Sequence, residues 1–198
     1  MVAAVCSLPR RSGRTACGTC GGGYPSGIYA NDEASLDAAK ANGFKLIELD
    51  FAQEGDTLVL QHDLSKPVAM SLDDLIRWLD RNPGPKIITD IKSDNLAGLA
   101  ILKAAAGDHL ERFIPQIYSL DEYTPVIAIG FQAPIFTVYR IRPDEEPVAE
   151  ANKLPLRAVT MPAERYQLAD RVTHPVYLHT LNERVPGFGL YTDFLIPD

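Results

Sequence analysis

The sequence predicts an α/β fold on a parallel sheet, and three observations carry that reading. From Asn31 onward, short apolar β-like runs alternate with helix-like runs, and repeated strand-helix units imply parallel strands joined by crossovers. The polar residues of successive β-like runs fall late in each run, as they do where a site is built at the C-terminal ends of barrel strands. No G-x-G-x-x-G follows a strand and opens a helix, and Gly21-Gly22-Gly23 lacks that spacing, which counts against a doubly wound open sheet.

The β-like runs cover residues 45–51, 86–92, 113–118, 134–140, 156–162, 175–180 and 190–195, with 57–62 as an extra extended piece. Helical patterns fill the gaps at 33–42, 72–80, 95–106, 121–129, 144–153 and 163–172. Gly43 is placed to end the first, and Ser71 to cap the second with Asp74 completing a capping box. Seven strands plus one within residues 14–18 give the eight of a compact TIM (β/α)8 barrel with an atypical first strand. Residues 1–20 are read as an atypical N-terminal segment containing that strand, and 21–198 as the barrel domain. The chain is near the lower end of barrel length, so its loops must be short.

With 46% apolar and 23% charged residues the composition is that of an ordinary soluble globular protein. Burial of roughly 70% of the unfolded surface makes disulfides or a structural metal unnecessary for folding. The net charge is -7, yet Arg10, Arg11 and Arg14 all precede the first acidic residue, Asp32. The acidic body argues against a nucleic-acid surface, although a metal-loaded mouth could still attract a small anionic substrate. Cys17 and Cys20 form a lone C-x-x-C, with Cys6 upstream and no second ligand pair for structural zinc. No stretch approaches the roughly 20 apolar residues of a membrane span, and residues 2–6 are too short for a signal core. As written the sequence reads as cytoplasmic, with a secreted or periplasmic protein the alternative if the N-terminus is incomplete. Oligomeric state is not legible.

Glu48-Leu49-Asp50, then His62-Asp63, then Asp90-Ile91-Lys92 form the most informative constellation. Carboxylates at i and i+2 of a strand point to one face. Held close, they resist double ionisation unless a cation lies between them, and hard divalent ions prefer oxygen ligands. A histidine and a lysine from neighbouring segments add a proton-transfer group and a fixed positive charge, which cleavage of an anionic ester requires. The same late, shared parity holds for Gln116 with Tyr118, Thr137 with Tyr139 and Tyr177 with His179.

These residues together resemble the glycerophosphodiester phosphodiesterase family, within the phosphodiesterase barrels that include phosphatidylinositol-specific phospholipase C and the sphingomyelinase D-type toxins. The resemblance runs from about Gly21 to Asp193. Beyond the motifs above, it rests on Gly21-Gly22-Gly23, Asn31, Pro115-Gln116-Ile117-Tyr118, His179-Thr180-x-Asn182 and Tyr191-Thr192-Asp193. It implies metal-dependent hydrolysis of a glycerophosphodiester or related lipid headgroup ester. Glu48, Asp50 and Asp90 would hold Mg²⁺ or Ca²⁺, and His62 would be the acid or base. Lys92 would hold a phosphate oxygen, and Gln116, Tyr118 and His179 would be substrate contacts. Many relatives carry glutamate where Asp90 stands, while the toxin branch has aspartate there.

One departure matters. Family members carry a first catalytic histidine just before the glycines, where this chain has Thr19, and none of its histidines precedes His62. Threonine cannot exchange protons near neutral pH as imidazole does. The resemblance therefore leaves two readings, an impaired hydrolase and a non-catalytic barrel that binds a metal or phosphodiester. A thiol or zinc protein using Cys17 and Cys20 is a third. Elsewhere the expectations are structural: His109 on a helix surface, His174 at a helix-strand junction, Trp78 in the core with Leu75 and Leu79, and Glu145-Glu146 at a helix start.

Overall fold

The computed structural model describes residues 3–6, 31–62, 65, 67–142, 147–179, 181 and 183–192. Seven strands make the parallel set: β2 (Leu46–Glu54), β5 (Lys86–Ile91), β6 (Phe113–Ile117), β7 (Ile135–Thr137), β8 (Ala158–Pro162), β9 (Val176–His179) and β10 (Gly189–Thr192). They neighbour one another in chain order, each expected run supplying one strand. The 57–62 piece becomes β3 (Thr57–Leu60), folded back antiparallel on β2 through a turn at Gly55 and paired in turn with the short β4 (Met70–Ser71). Gly55 has a φ of 60°, a conformation that suits glycine.

The expected first strand, at 14–18, lies outside the described residues. Among those described, β1 (Ala3–Cys6) pairs antiparallel with both β10 and β2, Ala4 standing opposite Thr192 and opposite Ile47. This direction departs from the all-parallel expectation. The sheet is mixed, mostly parallel.

Helices α1 (Glu33–Ala41), α2 (Leu72–Arg81) and α3 (Asn95–Ala106) begin at Asp32, Ser71 and Asp94, whose side chains accept backbone N–H groups of the first turn. Ser71 and Asp74 form the expected reciprocal box. Helix α2 buries Leu72, Leu75, Trp78 and Leu79, and the Trp78 indole N–H donates to Asp37 Oδ1 at 2.8 Å. Helix α4 (Tyr123–Ile129) ends at Gly130 in the left-handed conformation. Helix α5 (Val148–Ala151) is shorter than expected. The run at 163–172 forms a 3₁₀ helix, Ala163–Arg171, with no fully buried residue. Its apolar residues Leu168 and Ala169 pack on the main core but are only partly buried.

The larger apolar core fills the space between sheet and helices around Phe51, Trp78 and Phe136. A smaller cluster lies on the opposite face of the sheet, formed by Ile88, Ile114, Ile135, Ala158, Tyr177 and Tyr191 with Leu46 against it.

Arg112 ties the entrance of β6 to the α2–β5 connection. Its guanidinium donates to the carbonyls of Leu79, Asn82 and Pro85 at 2.7 to 3.1 Å. Burial holds it below the ordinary arginine pKa, against the attraction of Asp80. Arg112→Ala leaves those carbonyls without their donor and should lower unfolding free energy by about 2 kcal/mol, measured by urea denaturation.

Candidate active site

The smaller cluster is a floor. Two residues beyond it along each strand, on the same face, the side chains become polar: Leu46 gives way to Glu48, Ile88 to Asp90, Ile114 to Gln116, Ile135 to Thr137, Ala158 to Thr160, and Tyr177 to His179. The floor depends on one glycine. Gly189 stands opposite Tyr177, and a Cβ there would lie 2.2 Å from the Tyr177 ring. Tyr177 then meets Tyr191 edge to face, with centroids 6.1 Å apart at 82°.

Above the floor is a cavity of about 240 Å³ lined by Glu48, Asp50, Asp90, Lys92, His62 and His179, and by Gln116, Tyr118, Thr137, Tyr139, Arg140, Thr160 and Tyr191. It brings together all eight residues expected at the site. Glu48, Asp50 and Asp90 each offer a carboxylate oxygen, all within 4.8 Å of one another, with Glu48 and Asp50 buried and Asp90 half-buried. The parallel register sets Asp50 level with Asp90 across β2 and β5. Lys92 Nζ lies 2.7 Å from Asp50 Oδ1 and 2.7 Å from Asp90 Oδ2. The lysine expected to face substrate thus bridges two carboxylates.

Asp50 and Asp90 are each aimed by a neighbour. Asn31, just before α1, accepts the Asp50 backbone N–H at 3.0 Å and donates to Asp50 Oδ2 at 3.2 Å. The Tyr118 hydroxyl donates to Asp90 Oδ1. Tyr118 is itself placed by Glu122, whose Oε2 accepts both the Tyr118 backbone N–H and the Asn95 amide at 2.9 Å. Burial, reinforced by the Asp90 charge, raises the Tyr118 phenol far above its ordinary pKa, so it stays a donor. Tyr191 is raised likewise, by burial first and then by Glu48. The β2–β3 hairpin explains His62. Gln61 N–H donates to the Asp50 carbonyl at 3.1 Å, so the exposed histidine that follows lies at the cavity edge.

His179 lies between Tyr139 and Tyr191, with ring centroids 5.6 and 6.2 Å away. Its Nε2 is buried and has no hydrogen-bond partner among the described residues. Burial pushes the imidazole down to about 4, outweighing the attraction of Asp90 and Glu164. It is therefore neutral near pH 7.

The three carboxylates offer an all-oxygen donor set, which suits a hard divalent cation. The trio could hold such a cation. Thr19, Gly21 to Gly23, Asp63, Thr180, Asn182 and Asp193 lie outside the described residues, as does Glu145-Glu146. His109 pairs with Asp80 at 2.7 Å and His174 with the Ala151 carbonyl at 3.2 Å, both away from the cavity.

Sequence reasoning did not select Thr160 or Arg140 as site residues. Thr160 carried a signal, since it sits two residues after Ala158 on the inner face and hydrogen-bonds Thr137 Oγ1 at 3.1 Å. Arg140 carried none by strand parity. Strand β7 stops at Thr137 and a turn follows, with Ile141 N–H bonded to the Val138 carbonyl at 3.1 Å.

No protein-family model matches the chain, and no curated protein does. In structure it is similar to a crystal structure of glycerophosphodiester phosphodiesterase from Agrobacterium tumefaciens str. C58, with 16% sequence identity. The alignment covers 75% of this chain and 80% of that chain at a TM-score of 0.48. Among the described residues, no helix is long and apolar enough to cross a membrane.

The depressed pKa of His179 has a consequence for stability. The folded state binds this proton less well than the unfolded state, so the stabilisation is complete above about 6.5 and lost as pH falls toward 4. The stability difference between the original protein and His179→Gln should change by about 2 kcal/mol between pH 7 and pH 4. Denaturant titrations at both pH values measure it, and a constant difference would contradict it.

Proposed function

We propose that this chain is a metal-dependent phosphodiesterase acting on a glycerophosphodiester or a related lipid headgroup ester, within a small barrel that β1 closes. The observation that carries the reading is the convergence of Glu48, Asp50 and Asp90, oxygens within 4.8 Å, in a cavity that His62 and two cationic side chains also line. The pairing of β1 with both β2 and β10 supports the closed barrel.

In this reading Glu48, Asp50 and Asp90 hold Mg²⁺ or Ca²⁺. The ion, when bound, supplies Lewis-acid polarisation of a phosphoryl oxygen. His62 exchanges a proton with the leaving or attacking oxygen from the cavity edge. Tyr118 keeps its proton and holds Asp90 in place by a hydrogen bond, which fixes the carboxylate orientation before substrate arrives. Gln116 and His179, one an amide and the other a neutral imidazole, offer hydrogen bonds to the alcohol portion of the substrate. The buried floor excludes water from below, which strengthens every charge interaction above it.

A non-catalytic binding barrel is the second reading. Thr19 in the sequence favours it, as does the Lys92 ammonium, which already offsets part of the carboxylate charge.

Initial rates on a chromogenic phosphodiester separate the two, with Mg²⁺, with Ca²⁺ and with chelator. The original chain should be slow, and Thr19→His should raise the metal-dependent rate by about one to several orders of magnitude, the size of a general acid-base contribution. Asp50→Asn in that background should abolish the gain. Chelator-resistant, equal rates in all three proteins would defeat the hydrolytic reading. Metal binding by calorimetry without turnover in any of them would favour the binding barrel.

A further inference from the structure

The positive charge at the bottom of the cavity is already committed. Lys92 sits 2.7 Å from each of two carboxylates, so the field it presents to an incoming anion is largely cancelled. A second cation lines the same cavity. Arg140 stands exposed on the turn after β7, its guanidinium carbon 3.9 Å from the centroid of the Tyr118 ring. Among the described residues no carboxylate forms an ion pair with it.

The surroundings hold Arg140 in that place. Its platform is fixed at both ends, with the Tyr118 hydroxyl on Asp90 and the Tyr118 backbone N–H on Glu122. Its turn is pinned by Arg165, which donates to the carbonyls of Val138 at 2.9 Å, Ile141 at 2.8 Å and Arg142 at 3.1 Å. These carbonyls flank Arg140 on both sides. Stacking occupies the face of a guanidinium and leaves its edge N–H groups for an oxyanion, which they match in pairs.

We infer that Arg140 is the anion anchor of this site, a specificity-determining residue that takes a phosphate oxygen of the substrate, with Arg165 as its positioning residue. The inference rests on the phosphodiesterase reading for the identity of the anion. Lys92 then serves chiefly to hold Asp50 and Asp90 together. The ligand class is a phosphate ester whose charged oxygens reach from the carboxylate pocket to the Tyr118 face.

The test uses the full chain and inorganic phosphate, titrated calorimetrically in chelator against a chloride background of constant ionic strength. Arg140→Gln should weaken phosphate binding by about tenfold or more, the size of one charge-assisted contact. Arg140→Lys should recover part of that loss, because it restores charge without the paired donors. With Mg²⁺ and a chromogenic phosphodiester, Arg165→Gln should raise KM by about fivefold while kcat stays within about twofold, a split that general destabilisation does not produce. Equal phosphate affinity in the original protein and Arg140→Gln overturns the inference, and so does an original protein that binds no phosphate. Arg140-dependent phosphate binding without turnover leaves the inference standing and removes the hydrolytic reading. Turnover with an unchanged KM in Arg140→Gln does the reverse.

Discussion

The site depends on the register between β2 and β5, which sets the side chains of Asp50 and Asp90 level on one face of the sheet. Two carboxylates so placed repel each other, and burial of Asp50 worsens the repulsion because water cannot screen it. The Lys92 ammonium, at 2.7 Å from both, offsets that repulsion. Breaking one member of such a buried set leaves the others uncompensated, so the three act as a unit. Asn31 and Tyr118 add hydrogen bonds that fix which oxygens face the cavity.

The rest of the fold serves that register. Below the charges, Ile88, Ile114, Ile135 and Ala158 form an apolar floor that keeps water out and the dielectric low. Above them, polar side chains arrive from successive strands with no change of backbone geometry, because each is two residues further along the same face. Helix α3 anchors the end of β6 from outside, Asn95 donating to the Gln116 carbonyl at 3.1 Å and to Glu122 at 2.9 Å. A helix on one face of the sheet thereby positions Tyr118 on the other. Chemistry and core packing are coupled through a few hydrogen bonds.

Period-two parity made the carboxylates legible in the sequence. Glu48, Asp50, Asp90, Gln116 and His179 all follow at period two an apolar or aromatic residue of their own run, and a strand converts that spacing directly into position. The seven parallel strands were legible for the same reason. Strand β1 was not read at all, the first strand being expected within residues 14–18, since a four-residue apolar run states nothing about its pairing. Arg140 was hidden because parity lapses once a strand becomes a turn, and its place is set by carbonyl contacts to Arg165, 25 residues away in sequence. The Lys92 partner choice was hidden as well, because sequence gives the face of a side chain but not the bend of its stem.

That bend explains why a lysine stands at position 92. Lys92 lies two residues beyond Asp90, about 6.6 Å along the strand, so its charge must come back down the face to reach a carboxylate level with Asp90. A four-carbon stem spans that distance and ends in a compact ammonium with three donors, enough for Asp50 and Asp90 with one to spare. Arginine's wide planar fork matches two separate oxygens less well than a compact ammonium does, and histidine would be too short to return. Lysine at 92 is therefore one solution to a single steric and electrostatic constraint. The exposed turn beyond β7 is free of that constraint, and its arginine stacks on the Tyr118 ring instead of reaching a carboxylate among the described residues.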